Sequence, residues 1–158
     1  MKADVSIAQS SGSYKIKVSG RASFECSPPL RNLAKSFDNE KVNCIAIDLA
    51  DCESMDSTFM GVLAMIGLRA MKQNAPVEVL NTSDFNMNLL DGLGLSKLFC
   101  FKSDTAETIC NFKSTEGLNA DQKNDTVLEA HEILMEVDDA NVEKFEKVVE
   151  LVKKDICR

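Results

Sequence analysis

The 158-residue chain holds one histidine, His131, and six cysteines, at positions 26, 44, 52, 100, 110 and 157. Any Ser-His-Asp set would have to be built around His131, whose setting, LEAHEIL, has the spacing of an amphipathic helix. A helix-surface or interface residue is the expectation there. The nearest cysteine pairs, Cys44 with Cys52 and Cys100 with Cys110, lack the short spacing of a zinc knuckle or a redox CxxC, so the thiols are read as buried or incidental. No GxxxxGK[ST] loop occurs and no GxGxxG follows a strand; Gly92-Leu93-Gly94 is too short to count. Asp48 and Asp51 form a carboxylate pair, but acids beyond the end of a buried strand are ordinary turn residues. Catalytic residues, metal ligands and cofactors are therefore expected to be absent, and the protein is not expected to be an enzyme. What remains is the hydroxyl pair of Asp56-Ser57-Thr58, placed between an apolar strand and a long apolar helix. Taken as a tripeptide it reads as a helix N-cap.

The elements that position this tripeptide follow from hydrophobic period. Tyr14, Ile16 and Val18 alternate with Lys15, Lys17 and Ser19, and Val5 and Ile7 give a weaker strand before them. Ser10-Ser11-Gly12 supplies the turn of an opening β-hairpin. Ser27-Pro28-Pro29 starts a helix that carries Leu30, Leu33, Ala34 and Phe37 on one face and ends near Asn39. The run 44–49 is almost continuously apolar, the pattern of a strand covered on both faces, and a short acidic loop is expected after it. From about Ser57 a long helix presents Met60, Leu63, Ala64, Gly67, Leu68 and Met71 as one stripe, while Val62, Met65 and Ile66 lie off it. Such a helix needs cover on two sides, from the sheet and from neighbouring helices, a partner protein or the chain's own C-terminal helices. Further strands at 77–80 and 98–101 alternate with helices at 84–90 and 105–112. The order specifies an α/β fold with parallel crossovers and helices packed on the sheet.

Composition changes near residue 114. The first 113 residues are nearly neutral, net -1, whereas 114–158 carry net -6 of the chain's -7. Residues 114–124 read as a linker, and 126–137 and 141–156 as two helices joined at Asp138-Asp139. In the second, Phe145, Val148, Val149, Val152 and Ile156 form a stripe that must cover apolar surface, on the same chain or on a second copy. Two units are expected, 1–113 and an acidic C-terminal helical extension over 114–158. The negative balance and the lack of a basic cluster argue against nucleic-acid binding. No apolar segment has the length of a signal core or a membrane span, so a cytoplasmic protein is expected, with no membrane contact.

The segment 45–67, IAIDLADCESMDSTFMGVLAMIG, resembles the signature of the STAS domain family, in particular the bacterial anti-sigma factor antagonists. There a strand ends in D-L/F-S, and a loop leads to D-S-T/S-G-L-G and a helix. The order of elements over about 4–113 is similar to the whole family domain, with Gly20 and Leu93-Gly94-Leu95 at the family's Gly and G-L positions. The resemblance implies a STAS-like mixed β-sheet with helices packed on it. It also implies a partner-switching role in transcription regulation: the unphosphorylated form binds an anti-sigma factor/serine kinase of the histidine-kinase-like ATPase type and frees a sigma factor.

By motif position the phosphoacceptor is Ser57, with Thr58 the second choice, and a cognate phosphatase reverses the mark. Asp56 would orient the hydroxyl or its magnesium and ATP partners, and the partner-binding surface would comprise Ser23, Asp56, Ser57, Thr58, Phe59, Met60 and Gly61. A phosphate in the first turn of a helix meets the positive end of its dipole, so it changes the surface without unfolding the host. Gly61 matches the motif's second Gly. Phe59 stands where the family usually has the first, and Ser23 where it commonly has Asp. Those two departures favour a second reading, a phosphorylation-independent scaffold or oligomerisation module, which includes a homodimer.

Overall fold

The computed structural model describes residues 3–103, 113–115 and 123–156. Among the described residues a six-stranded sheet in the order β5-β4-β3-β2-β1-β6 carries five α-helices. The hairpin of β1 (Asp4–Ser10) and β2 (Ser13–Ala22) closes at Ser11-Gly12 with φ of 49° and 83°, the doubly left-handed turn whose twist matches the strands. Helix α1 (Pro28–Ser36) begins with its prolines in the first turn, where no intrahelical N–H is needed. The central strand β3 (Cys44–Met55) leads into α2 (Ser57–Lys72), followed by β4 (Val77–Leu80), α3 (Asp84–Gly92) and β5 (Cys100–Lys102). Strands β2 to β5 run parallel, and β1 is antiparallel to β2 and to β6 (Lys113–Ser114). Registry places Ile7, Ile16, Ile47, Val79 and Phe101 in one row across the sheet, and the middle three are fully buried. The mixed sheet expected from the sequence is present, with β6 as a sixth strand. The helix read at 105–112 lies outside the described residues.

One expectation is corrected in β3. The acidic loop after residue 49 is absent, because β2 also continues and pairs Arg21 with Ser54 and Ala22 with Met55. Asp51 and Glu53 point outward to Lys17 and Arg21 at 3.8 and 3.6 Å, exposed pairs that add little stability. Register shifts after Lys17 and Gly20, with Gly20 at φ 77°, absorb the extra residues of β3. The strand therefore delivers Asp56 directly to the start of α2.

Every residue of α2 from 58 to 67 is buried. The apolar surface that a single stripe leaves over is covered by α1 and by α4 (Lys123–Val137), onto which α5 (Ala140–Ile156) folds back. Ala130 and Leu134 of α4 are fully buried in the same core as the sheet residues, with Ile133, Val137 and Phe145 packed against it. Val149 is buried too, but Leu151 and Val142 remain exposed, so α5 contributes one narrow edge. Among the described residues no helix is long and apolar enough to cross a membrane.

Candidate functional site at the start of helix α2

Asp56 is the N-cap of α2, with extended backbone, and its Oδ1 accepts the Phe59 amide at 2.8 Å. Its Oδ2 accepts the amide of Phe24 at 2.8 Å, and its own amide donates to the Ala22 carbonyl at 2.9 Å. One carboxylate thus bolts the helix start to the 3-10 turn that follows β2. Each oxygen accepts one backbone amide in this way, so the carboxylate is fixed in place as the helix cap. Ser23 caps that 3-10 turn: its hydroxyl accepts from Glu25 at 3.3 Å, and its carbonyl accepts from the Ser27 hydroxyl at 2.7 Å. Ser23 and Asp56 therefore flank Phe24, whose exposed ring lies 5.9 Å under the Lys123 ammonium.

Ser57 occupies the first position of α2 and is half-buried. Its hydroxyl lies 2.8 Å from Nε2 of His131 in α4. The other ring nitrogen, Nδ1, lies 2.7 Å from the Val127 carbonyl, which can only accept. In the neutral form of the ring Nδ1 is accordingly the nitrogen that carries the proton, and Nε2 accepts a hydrogen bond from the serine hydroxyl. His131 is 3% exposed and makes an edge contact with Phe145 of α5 at 4.9 Å. It is an interface residue, and the helix-surface alternative is corrected.

The other expected partner-binding residues lie inside. Thr58, Met60 and Gly61 are buried, and Phe59 is a fully buried core side chain. An aromatic ring at position 59 fills the space between α2 and the core, which removes it from any contact surface in this conformation. Gly61 has a specific neighbour: a Cβ built there would overlap the Ala130 carbonyl oxygen and stand 2.7 Å from the Ala130 Cβ. The absence of a side chain is what lets the backbones of α2 and α4 meet.

Charged and polar contacts hold α4 and α5 around this point. Glu129 bonds Arg31, which is 9% exposed at its side chain, and Lys35 at 2.9 Å. Burial raises the Glu129 carboxyl pKa, but hydrogen bonds and charge from Arg31 and Lys35 outweigh it and hold the group below the usual carboxylate range. The buried Asn141 donates to the carbonyls of Leu93 and Leu134 at 2.9 and 2.8 Å. Lys144 caps the end of α3 at the Gly92 carbonyl, and Lys97 caps the end of α4 at the Val137 carbonyl. No local pattern in the sequence marks these pairings. The one available signal was the all-round apolar character of α2, which requires a second covering element.

The described thiols divide between the buried and the incidental. Cys52 is buried and Cys26 half-buried, but Cys44 and Cys100 are exposed, since each begins a strand at the sheet's end. Burial pushes the Cys52 thiol up to about 11 and raises that of Cys26 as well. Cys110 and Cys157 lie outside the described residues. Among those described, no group of three His, Cys, Asp or Glu side chains could hold a metal ion.

This architecture is the STAS fold of the anti-sigma factor antagonists. The unphosphorylated form of the anti-sigma factor antagonist SpoIIAA superposes with a TM-score of 0.53 at 12% identity, over 65% of this chain and 89% of that one. An anti-sigma factor antagonist from Mycobacterium paratuberculosis gives 0.54 at 19% identity, over 64% of this chain and 86% of its own. No family model and no curated protein matches the sequence.

Proposed function

We propose that the chain is an anti-sigma factor antagonist whose switch is Ser57. In the unphosphorylated form it binds an anti-sigma factor/serine kinase of the histidine-kinase-like ATPase type and so frees a sigma factor; phosphorylation of Ser57 ends the binding. The observation that carries this reading is the placement of Ser57, one residue after the capping Asp56, at the point where the central strand of a STAS fold enters α2. Transfer of the γ-phosphoryl group of ATP forms the Oγ–P bond, breaks the bond to the departing ADP and sends the serine proton to a base of the kinase. The product carries about two negative charges at the positive end of α2, which the helix tolerates. A partner that docks there through carboxylates or apolar groups does not. A cognate phosphatase restores the binding form. The expected boundary at 113/114 falls inside β6, which pairs Ser114 with Ser6, so we place the end of the switch domain after Thr115, whose amide and hydroxyl both donate to the Val5 carbonyl.

The test is incubation of the full chain with ATP and such a kinase, followed by intact mass and site mapping. One added phosphate, located on Ser57 and lost in Ser57→Ala, is the expected result. No phosphate with any candidate kinase, in the wild type and in Glu129→Lys alike, overturns the reading. That outcome would favour the phosphorylation-independent scaffold, for which the engaged Ser57 hydroxyl and the core position of Phe59 are the supporting observations.

A further inference from the structure

We propose that the α4–α5 hairpin is an intramolecular cap on the docking face of α2, latched by the Ser57–His131 hydrogen bond. While closed, it withholds Ser57 from the kinase and α2 from the anti-sigma factor. This inference rests on the role assigned to Ser57 above.

Three observations carry it. First, the covering is steric. With the Ala130 backbone against Gly61, no second protein can reach the buried surface of α2 around Met60 and Gly61 without α4 leaving. Second, around the buried contacts of Ala130 and Leu134 the cap is held by polar pairs. These are the Glu129 pairs with Arg31 and Lys35, the Lys97 and Lys144 caps on helix ends, and the Lys123 ammonium over Phe24. The matched structures use 86–89% of their own lengths yet match only 64–65% of this chain, so the shared fold is complete with about a third of this chain left over. Third, phosphorylation removes the latch. The phosphoryl group takes the place of the hydroxyl hydrogen shared with Nε2 across 2.8 Å, so the modified serine can no longer donate there. Closure and phosphorylation therefore compete, and by linkage whatever the latch contributes to seating α4 opposes phosphorylation to the same degree.

Released, the hairpin exposes the apolar side of α2 around Met60 and Gly61, which suits a face that a partner then covers. Opening is thus a step that precedes both kinase and partner, and a signal that engages the acidic hairpin would control it.

The experiment compares three full-length proteins: wild type, Glu129→Lys, and the charge exchange Arg31→Glu with Glu129→Lys. Two quantities are read on each, peptide-resolved hydrogen exchange and the rate of Ser57 phosphorylation by a histidine-kinase-like serine kinase with ATP. In Glu129→Lys, exchange over 123–156 is expected to rise at least tenfold while β3 and β4 keep their protection, and phosphorylation is expected to accelerate at least tenfold. The exchanged pair should return both toward wild type. Exchange of the hairpin and the sheet as one unit in all three proteins would overturn the cap, whatever the kinase does. So would an opened hairpin with no gain in phosphorylation rate. Absence of phosphate in every protein, including an opened one, would instead overturn the role given to Ser57, and the exchange data alone would then decide the cap.

Discussion

Gly61→Ala separates two physical expectations of opposite sign. In an exposed helix, replacing glycine by alanine stabilises by about 1 kcal/mol through backbone entropy and propensity. At position 61 the added methyl group would overlap the Ala130 carbonyl oxygen and crowd its Cβ at 2.7 Å, and these are α4 backbone and near-backbone atoms that cannot rotate away. Overpacking of this kind costs about 1–3 kcal/mol. With a rigid neighbour the upper end applies, and after subtracting the propensity gain about 2 kcal/mol of net destabilisation remains. Gly92 is the internal control, since a Cβ there meets nothing within 4 Å. Urea denaturation of both variants, with hydrogen exchange over α4, gives the measurement. Gly61→Ala should lower the midpoint and loosen α4, whereas Gly92→Ala should be neutral or slightly stabilising. A Gly61→Ala protein more stable than wild type would show that α4 does not lie on α2, and both the packing and the cap would fall with it.

Two further outcomes follow from the titrating groups. The Glu129 carboxyl is held below its ordinary range in the folded state, so its contribution to seating α4 is complete above the usual glutamate pKa and is lost as pH falls through the depressed value. A pH series of hairpin exchange should show loosening only on the acid side of the ordinary carboxylate range, and Glu129→Gln should remove that component; an unchanged pH profile in the variant would refute it. For the thiols, native alkylation at pH 8 followed by peptide mapping should modify Cys44 and Cys100 but spare Cys52, which is buried and whose pKa is pushed up to about 11. Labelling of Cys52 as fast as Cys44 would mean that the edge near the 3-10 turn opens in the native state.

Which elements form, and in what order, was set locally. The period of two in Tyr14-Ile16-Val18, the Ser11-Gly12 turn, the paired prolines before Leu30 and the stripe of α2 each specify a conformation through neighbours within a few residues. Asp56 as a helix cap was legible for the same reason, since the cap bond spans only three residues. Where a strand stops is less local: β3 runs to Met55 because β2 offers partners that far, which the acidic composition of 50–54 conceals. Which of the thiols are exposed was not legible, because a small apolar side chain at a strand end carries no mark of which way the end faces.

The state of the Ser57 hydroxyl was decided only by tertiary structure. Its partner His131 is 74 residues away, on a helix whose own sequence shows an apolar side but not the surface that side will meet. Amphipathic period states that a face must be covered; shape and pairing choose the cover, here a glycine opposite an alanine and a glutamate opposite two cations. Burial free energy is non-directional, so the pattern of one helix cannot name its neighbour, and long-range contacts of this kind come into being only when the chain has folded.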